Sequence, residues 1–227
     1  MSTLNNILAI AEQVTINDQR FVGMTITRNQ RISTSEIVTV IPFQFDFKPH
    51  NYLSYANNRA LLANLRANDK SLEQYLNFGS TGWLNYIAYQ GDLTSGQISG
   101  STWSTSSAGT SLIMTPASGI SSGAYVVRAG DFCQMDRYSY IATQDVLRGS
   151  GGTVNIPVHR NVIYAVGSSE GCVIGQYGTT ISMGGNTYTG VTFPVILQAY
   201  PTYTLIPTAN DSFISWTGQF KAFESVL

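Results

Sequence analysis

The sequence predicts a mainly β protein: a β-sandwich or barrel-like domain with one packed α-helix and an inserted hairpin or loop. Three observations lead there. Short alternating runs recur at a spacing of roughly 8–12 residues, the pattern of a sandwich or barrel. Asn51 to Arg66 is rich in Ala and Leu and lacks β-branched residues, which favours a helix. Gly91 to Gly123 is dominated by Gly, Ser and Thr yet holds a strand-length apolar piece, so it reads as an insertion. The 227 residues can bury roughly 70% of their unfolded surface, so the core needs no staples. Length alone fits one large all-β domain or two small ones. The chain divides into N-terminal strands plus helix (1–90), the insertion (91–123) and a strand-rich half (124–227), read together as one compact domain.

Leu4, Ile7, Leu8 and Ala11 fall at i, i+3, i+4 and i+7, which predicts a short amphipathic helix; an arm gripping a neighbour is the alternative. From Gln13 the period switches to two. Val14 and Ile16, then Val22, Met24 and Ile26, flank the polar turn Asn17-Asp18-Gln19 and predict a hairpin. Ile37, Thr39 and Ile41 alternate next, followed by Phe43, Phe45 and Phe47; Pro42 inside this run places the strand at an edge or a bulge. Pro49 ends it. The helix over about 51–66 carries Asn58, Leu61, Leu62 and Leu65 on one stripe, and Asn68-Asp69 stops it. Leu72, Tyr75 and Leu76 fit either a short helix or a strand. Trp83 to Tyr89 reads as a buried strand, and Leu112-Ile113-Met114 makes the insertion a hairpin.

Val126 to Ile163 reads as a β-hairpin unit. An Ala-Gly-Asp corner opens into alternation from Tyr138 to Thr143. A glycine turn (Gly149 to Gly152) leads to a second run, Val154, Ile156 and Val158, ending at His159-Arg160. Further strands are predicted at Val162 to Val166, Cys172 to Tyr177, Thr192 to Tyr200, Tyr203 to Ile206, Phe213 to Trp216 and Phe220 to Val226, with a turn region at Asn186 to Gly190. Phe43, Phe45, Trp83, Phe193 and Phe213 are the core candidates.

Charged residues make up only 11% of the chain, against about 25% in typical domains. Such a surface suits permanent packing against neighbours, or an ordinary low-charge secreted β-protein. The twelve Lys and Arg residues are dispersed and the net charge is −1, so a nucleic-acid partner is not expected. Cys133, Cys172, His50 and His159 have no zinc-type spacing; the cysteines read as reduced buried thiols, with a disulfide between them left open. The N-terminus lacks the basic n-region and long apolar core of a signal peptide. No stretch reaches the 18 apolar residues of a membrane span, so no membrane insertion is expected.

Gly167-Ser168-Ser169-Glu170-Gly171 fits the nucleophile-elbow pattern, but the following CVIGQYGTT lacks the helix that motif requires, so it reads as a turn. A triad drawn from Ser169, His159 and Asp131, Asp136 or Asp145 rests on residue types alone. His159 reads as a hydrogen-bonding or interface histidine. The expectation is a non-enzyme with no cofactor and no metal. Thirteen tyrosines, ten phenylalanines and three tryptophans exceed what a core of this size needs, leaving aromatics for a protein interface or a sugar-binding surface.

Two stretches carry a resemblance. Val126 to Ile163 has a Gly-Asp-aromatic-x-Gln corner, a Tyr-rich strand ending at Thr143-Gln144-Asp145-Val146, a glycine turn and Pro157-x-x-Arg160, in that order. The earlier run FQFDFKPHNYLSYANNRALLANLRANDKSLEQYLNFGSTGWLNYIAYQG joins an aromatic strand to a helix rich in Asn, Leu and Arg, then an Asp-x-x-Leu-Glu-Gln segment and an aromatic run. Together they resemble tail-tip structural proteins of tailed bacteriophages, the distal-tail or baseplate ring proteins. The resemblance covers somewhat under half of the chain. It implies a virion protein made in the host cytoplasm, packed with copies of itself in a ring, commonly sixfold, between tail tube and baseplate or fibre proteins. It implies no catalytic residue. By matched position Gly130 would permit a tight turn, Asp131 would accept backbone N–H bonds, and Arg160 would form a bidentate salt bridge within or between subunits. The alternative is a carbohydrate- or receptor-binding β-module of a phage tail.

Overall fold

The computed structural model describes residues 3–18, 22–26, 32–36, 40–67, 72–79, 84–105, 109–163 and 171–226. The chain opens with helix α1 (Thr3–Ala9) and strand β1 (Ala11–Asp18). A two-stranded ribbon, β2 (Val22–Ile26) and β3 (Ile32–Glu36), precedes β4 (Phe43–Pro49). Strand β5 (Leu53–Ser54) runs into helix α2 (Tyr55–Ala67), and β6 (Gln74–Asn77) follows. Next come the short helices α3 (Leu84–Ile87) and α4 (Ser95–Gly100), then β7 (Thr102–Thr105), β8 (Ser111–Thr115) and β9 (Tyr125–Val127). The middle holds β10 (Phe132–Met135), β11 (Tyr138–Ile141), β12 (Val146–Leu147) and β13 (Val154–Pro157). Four short strands follow: β14 (Cys172–Ile174), β15 (Tyr177–Gly178), β16 (Ile181–Met183) and β17 (Asn186–Tyr188). The chain closes with β18 (Thr192–Ala199), β19 (Tyr203–Pro207), β20 (Ser212–Trp216) and β21 (Phe220–Glu224). The fold is mainly β, as its sequence pattern predicts.

The first of two apolar cores sits on an antiparallel five-stranded sheet of order β1-β4-β21-β18-β6. Phe43, Phe45 and Phe47 point to one face of β4, by the period of two, and all three are fully buried. They meet Phe78, Phe193 and Phe220; Phe45 and Phe193 lie 4.8 Å apart, and Phe47 stacks on Phe220 at 5.3 Å. Helix α1 covers this face with Leu4, Ile7 and Leu8, and α2 with Leu62 and Leu65. The amphipathic helix predicted at the start therefore lies in the core.

Several pairings depart from the local expectation. The residues Val14 and Ile16 do not form a hairpin with 22–26; β1 pairs with β4, setting Val14 opposite Phe47 and Ile16 opposite Phe45. Rows of apolar cross-strand neighbours favour that register over a polar local turn. Strands β2 and β3 pair only with each other among the described residues. Pro42 lies just before β4, so the missing N–H costs nothing and β4 sits inside the sheet, between β1 and β21. Gln74 to Asn77 resolves as a strand. The 84–87 part of the predicted buried strand is a helical turn, because Ile87 enters the first core and Tyr89 the second. Phe213 is partly exposed: Ile214 and Trp216 hold the inward positions of β20 and leave Phe213 outward. The turn near 186–190 falls instead at Gly184-Gly185, and 186–188 is a strand. Val162 and Ile163 lie outside any strand. Trp83, Asn68-Asp69, the alternation at 37 and 39, and 164–170 lie outside the described residues.

The second core gathers residues from Tyr89 to Ile174, including Trp103, Leu112, Met114, Val126, Tyr140 and Ile156. The insertion does form a hairpin, β7 with β8, preceded by α4. Thr94 and Gln97 build a capping box that starts α4 within a Gly/Ser-rich run. The hairpin is not an appendage, since Trp103, Leu112 and Met114 are buried with the 124–163 segment. The predicted pairing of 138–143 with 154–158 is reduced to one isolated bridge, Ala142 with Val158. Instead β11 pairs with β10, and β13 pairs with β8, placing Val154 opposite Met114 and Ile156 opposite Leu112. Burying those apolar pairs decides the partner. Cys133 and Cys172 are both free and buried. The register pairs Cys133 with Ile174 and Met135 with Cys172. The thiols are thus diagonal neighbours, with backbones roughly 7–8 Å apart, wider than a disulfide spans without movement.

Candidate functional site

The Gly130-Asp131 corner is built from the backbone outward. Gly130 has φ +96°, a conformation L side chains rarely adopt, and its N–H donates to Ala142 O at 2.8 Å. The turn delivers Asp131 into the interior, where it is 2% exposed. Its Oδ2 accepts the Arg128 N–H at 2.8 Å and its Oδ1 the Gln90 N–H at 2.9 Å. The first bond closes the corner. The second holds the chain entering the insertion. Burial pushes the Asp131 carboxyl up, against those two amides and the nearby Arg128 charge. Asp145 finishes the corner by accepting the Ala129 N–H at 2.9 Å and facing Arg128 at 3.4 Å.

Arg160 lies some distance along the chain, past β13, and turns inward. Its guanidinium makes a bidentate pair with Glu224 of β21, at 2.5 Å and 2.7 Å, with both side chains closed off from solvent. The same guanidinium donates to Ile41 O and Ser139 O at 2.6 Å and 2.7 Å, and lies over the rings of Phe43 and Tyr140. Glu224 also accepts the Phe43 N–H at 3.1 Å. A buried ion pair is tolerable when most of its hydrogen-bonding capacity is met. Here both terminal guanidinium nitrogens are engaged across both cores, while the Nε–H has no acceptor. Gln134, in the same corner motif, reaches the other way: its Oε1 accepts the Thr192 N–H and its Nε2 donates to Thr192 O, both at 2.7 Å. A side-chain amide here takes the place of one strand pairing between β10 and β18.

Of the residues singled out from sequence, Gly130 and Asp131 share one corner, while Arg160 serves a separate interior lock. None lines a cleft. His159 accepts the Ile141 N–H through Nδ1 at 3.0 Å and packs on the Phe43 ring at 5.1 Å. Asp131 and Asp145 are engaged by backbone amides at the corner. Ser169 lies outside the described residues. Among the described residues no three His, Cys, Asp or Glu side chains are grouped to hold a metal. No helix among them is long and apolar enough to cross a membrane.

The surface has its own features, which sequence reasoning passed over. Among the described residues strand β19 pairs only with β20, in a three-stranded sheet of order β19-β20-β5. Ile206 and Phe213 face each other across that pair, and both are exposed, as is Leu205. Beside them Tyr52 is 66% exposed and holds φ +64°, a strained conformation for a bulky residue. Its N–H donates to Ile214 O at 2.7 Å, which ties the turn to β20. Alternation in β19 marked a strand but not its exposure, because the core it might have covered is already filled by β20. Compared with known proteins, the chain matches no family model and no curated sequence.

Proposed function

We propose that this chain is a structural virion protein of a bacteriophage tail, of the distal-tail or baseplate ring kind, whose work is assembly. Copies associate in a ring that joins the tail tube to baseplate or fibre proteins. The observation that carries the reading is the open edge at β19: five residues, no charge, and Leu205 and Ile206 exposed on its two faces. Monomeric proteins blunt such edges with charges, bulges or covering loops. Among the described residues of this strand only Pro207, at its end, does so. The β2–β3 ribbon adds support, since it has no further strand partner among the described residues and a two-stranded ribbon is marginal without a neighbour. A structural rather than catalytic role also suits Asp131 and Gln134, which hold backbone groups, and Arg160, which holds backbone carbonyls and Glu224.

The test is negative-stain imaging of the purified chain and of its Leu205→Lys/Ile206→Lys variant. The expected result is closed rings, or chain added to tail-tube subunits, for the parent, and dispersed particles for the variant. Dispersed single molecules in both samples, with or without tail-tube protein, contradict the proposal.

A further inference from the structure

We infer that the groove between α2 and the β18–β19 connection is a binding site for a carboxylate-bearing peptide segment, an acidic residue next to an apolar one. The groove is about 360 Å³ and open to solvent. Leu62, Leu65 and Trp216 give it an apolar floor, and Tyr200 and Tyr203 flank it. Tyr203 meets Trp216 edge-on at 5.3 Å, so the aromatic wall is fixed before any ligand arrives.

Arg66 stands at this wall. Its guanidinium donates to the Tyr203 hydroxyl at 2.6 Å and sits 5.4 Å from the centre of that ring. Among the described residues it faces no carboxylate, and the groove is lined by none. The Trp216 indole N–H, buried in the wall, has no acceptor. The indole N–H is closed off from solvent, so the capacity a ligand can reach is the rest of the exposed Arg66 guanidinium, a planar, permanently charged fork suited to carboxylates. A neutral sugar is held best by acceptors for its hydroxyl protons. Among the described residues no carboxylate or side-chain amide lines this groove, and its hydroxyls at Tyr200, Thr202 and Tyr203 are already bonded to Gln74, Thr217 and Arg66. An apolar side chain on the floor with a carboxylate at Arg66 matches both the shape and the sign of charge. The volume holds a residue or two, so an isolated dipeptide is expected to bind in the millimolar range and a longer segment more tightly. This inference stands on the groove alone and is independent of the ring proposal.

The experiment is an NMR titration of the full chain with N-acetyl-leucyl-glutamate. Its neutral twin N-acetyl-leucyl-glutamine and the sugar acid methyl β-glucuronide serve as comparators. Saturable shifts at the Trp216 indole are expected for the acidic dipeptide, with binding at least about fivefold weaker for the neutral twin. Arg66→Met, at an exposed helix position, is expected to remove the preference for the acidic dipeptide while leaving the rest of the spectrum intact. Tyr203→Phe, which removes the hydroxyl that orients Arg66, is expected to weaken it. Equal binding of the two dipeptides, an unchanged preference in Arg66→Met, absence of saturation, or tighter binding of the glucuronide would each overturn the inference.

Discussion

At the scale of single residues, Arg160 and Glu224 decide most. Each satisfies the other and several backbone groups, so removing one leaves a charge buried alone. Arg160→Met is expected to cost about 3–5 kcal/mol in denaturant unfolding. Adding Glu224→Leu is expected to return part of that loss, because the stranded charge goes with it; a double variant as weak as the sum of both singles would contradict this account. Arg160 was legible from its place after Pro157, as was the corner glycine from its neighbours. Glu224 was not, since an acidic residue in an alternating C-terminal strand gives no sign of turning inward. Its partner is 64 residues away, a separation no local pattern encodes.

At the scale of elements, helix α2 shows how a distant turn sets a start point. Ser54 caps the helix by accepting the Asn57 N–H, and its hydroxyl donates to Asp211, from the turn between β19 and β20. Asp211 also accepts the Ala56 N–H at 3.2 Å. The Ser54 hydroxyl, then the Ser212 and Ala56 amides, hold the Asp211 carboxyl below the usual range despite some burial. A lowered folded-state pKa means stabilisation that is complete above the unfolded carboxylate range and is lost as pH falls through the folded value. Asp211→Asn is therefore expected to lower the melting temperature at neutral pH and to flatten its fall below about pH 4. An identical slope in parent and variant would remove Asp211 from the cap. The helix itself was legible from Leu62 and Leu65, which do face the core. Strand positions were largely legible too, but partners were not: period two marks a strand's faces and says nothing of which strand lies beside it. Hence β1 was assigned to β2 when the Phe43–Phe47 row had the stronger claim.

At the scale of the whole molecule, two cores are sewn together by Gln134 and by the Arg160–Glu224 lock. One cooperative unfolding transition is expected for the parent chain in calorimetry, separating into two when Gln134→Ala and Arg160→Met are combined. Cys133 and Cys172 report on the second core. Burial pushes both thiols up, so neither is expected to react with a thiol reagent in the native state, and both are expected to react together on unfolding. The apolar surplus that composition announced is mostly interior. Of the exposed remainder, Leu205, Ile206 and Phe213 lie together on β19 and β20 with Tyr52 at the adjoining turn, while Leu72, Tyr86, Leu147, Tyr177 and Ile196 lie elsewhere.

The central claim is that this outer edge exists to be covered by other copies, and the native mass of the purified chain tests it most directly. The account expects integer multiples of the chain mass at micromolar concentration, reverting to a single chain when Leu205 and Ile206 are replaced by lysine. A single-chain mass at every concentration, unaltered by those replacements and by added tail-tube subunits, would contradict it.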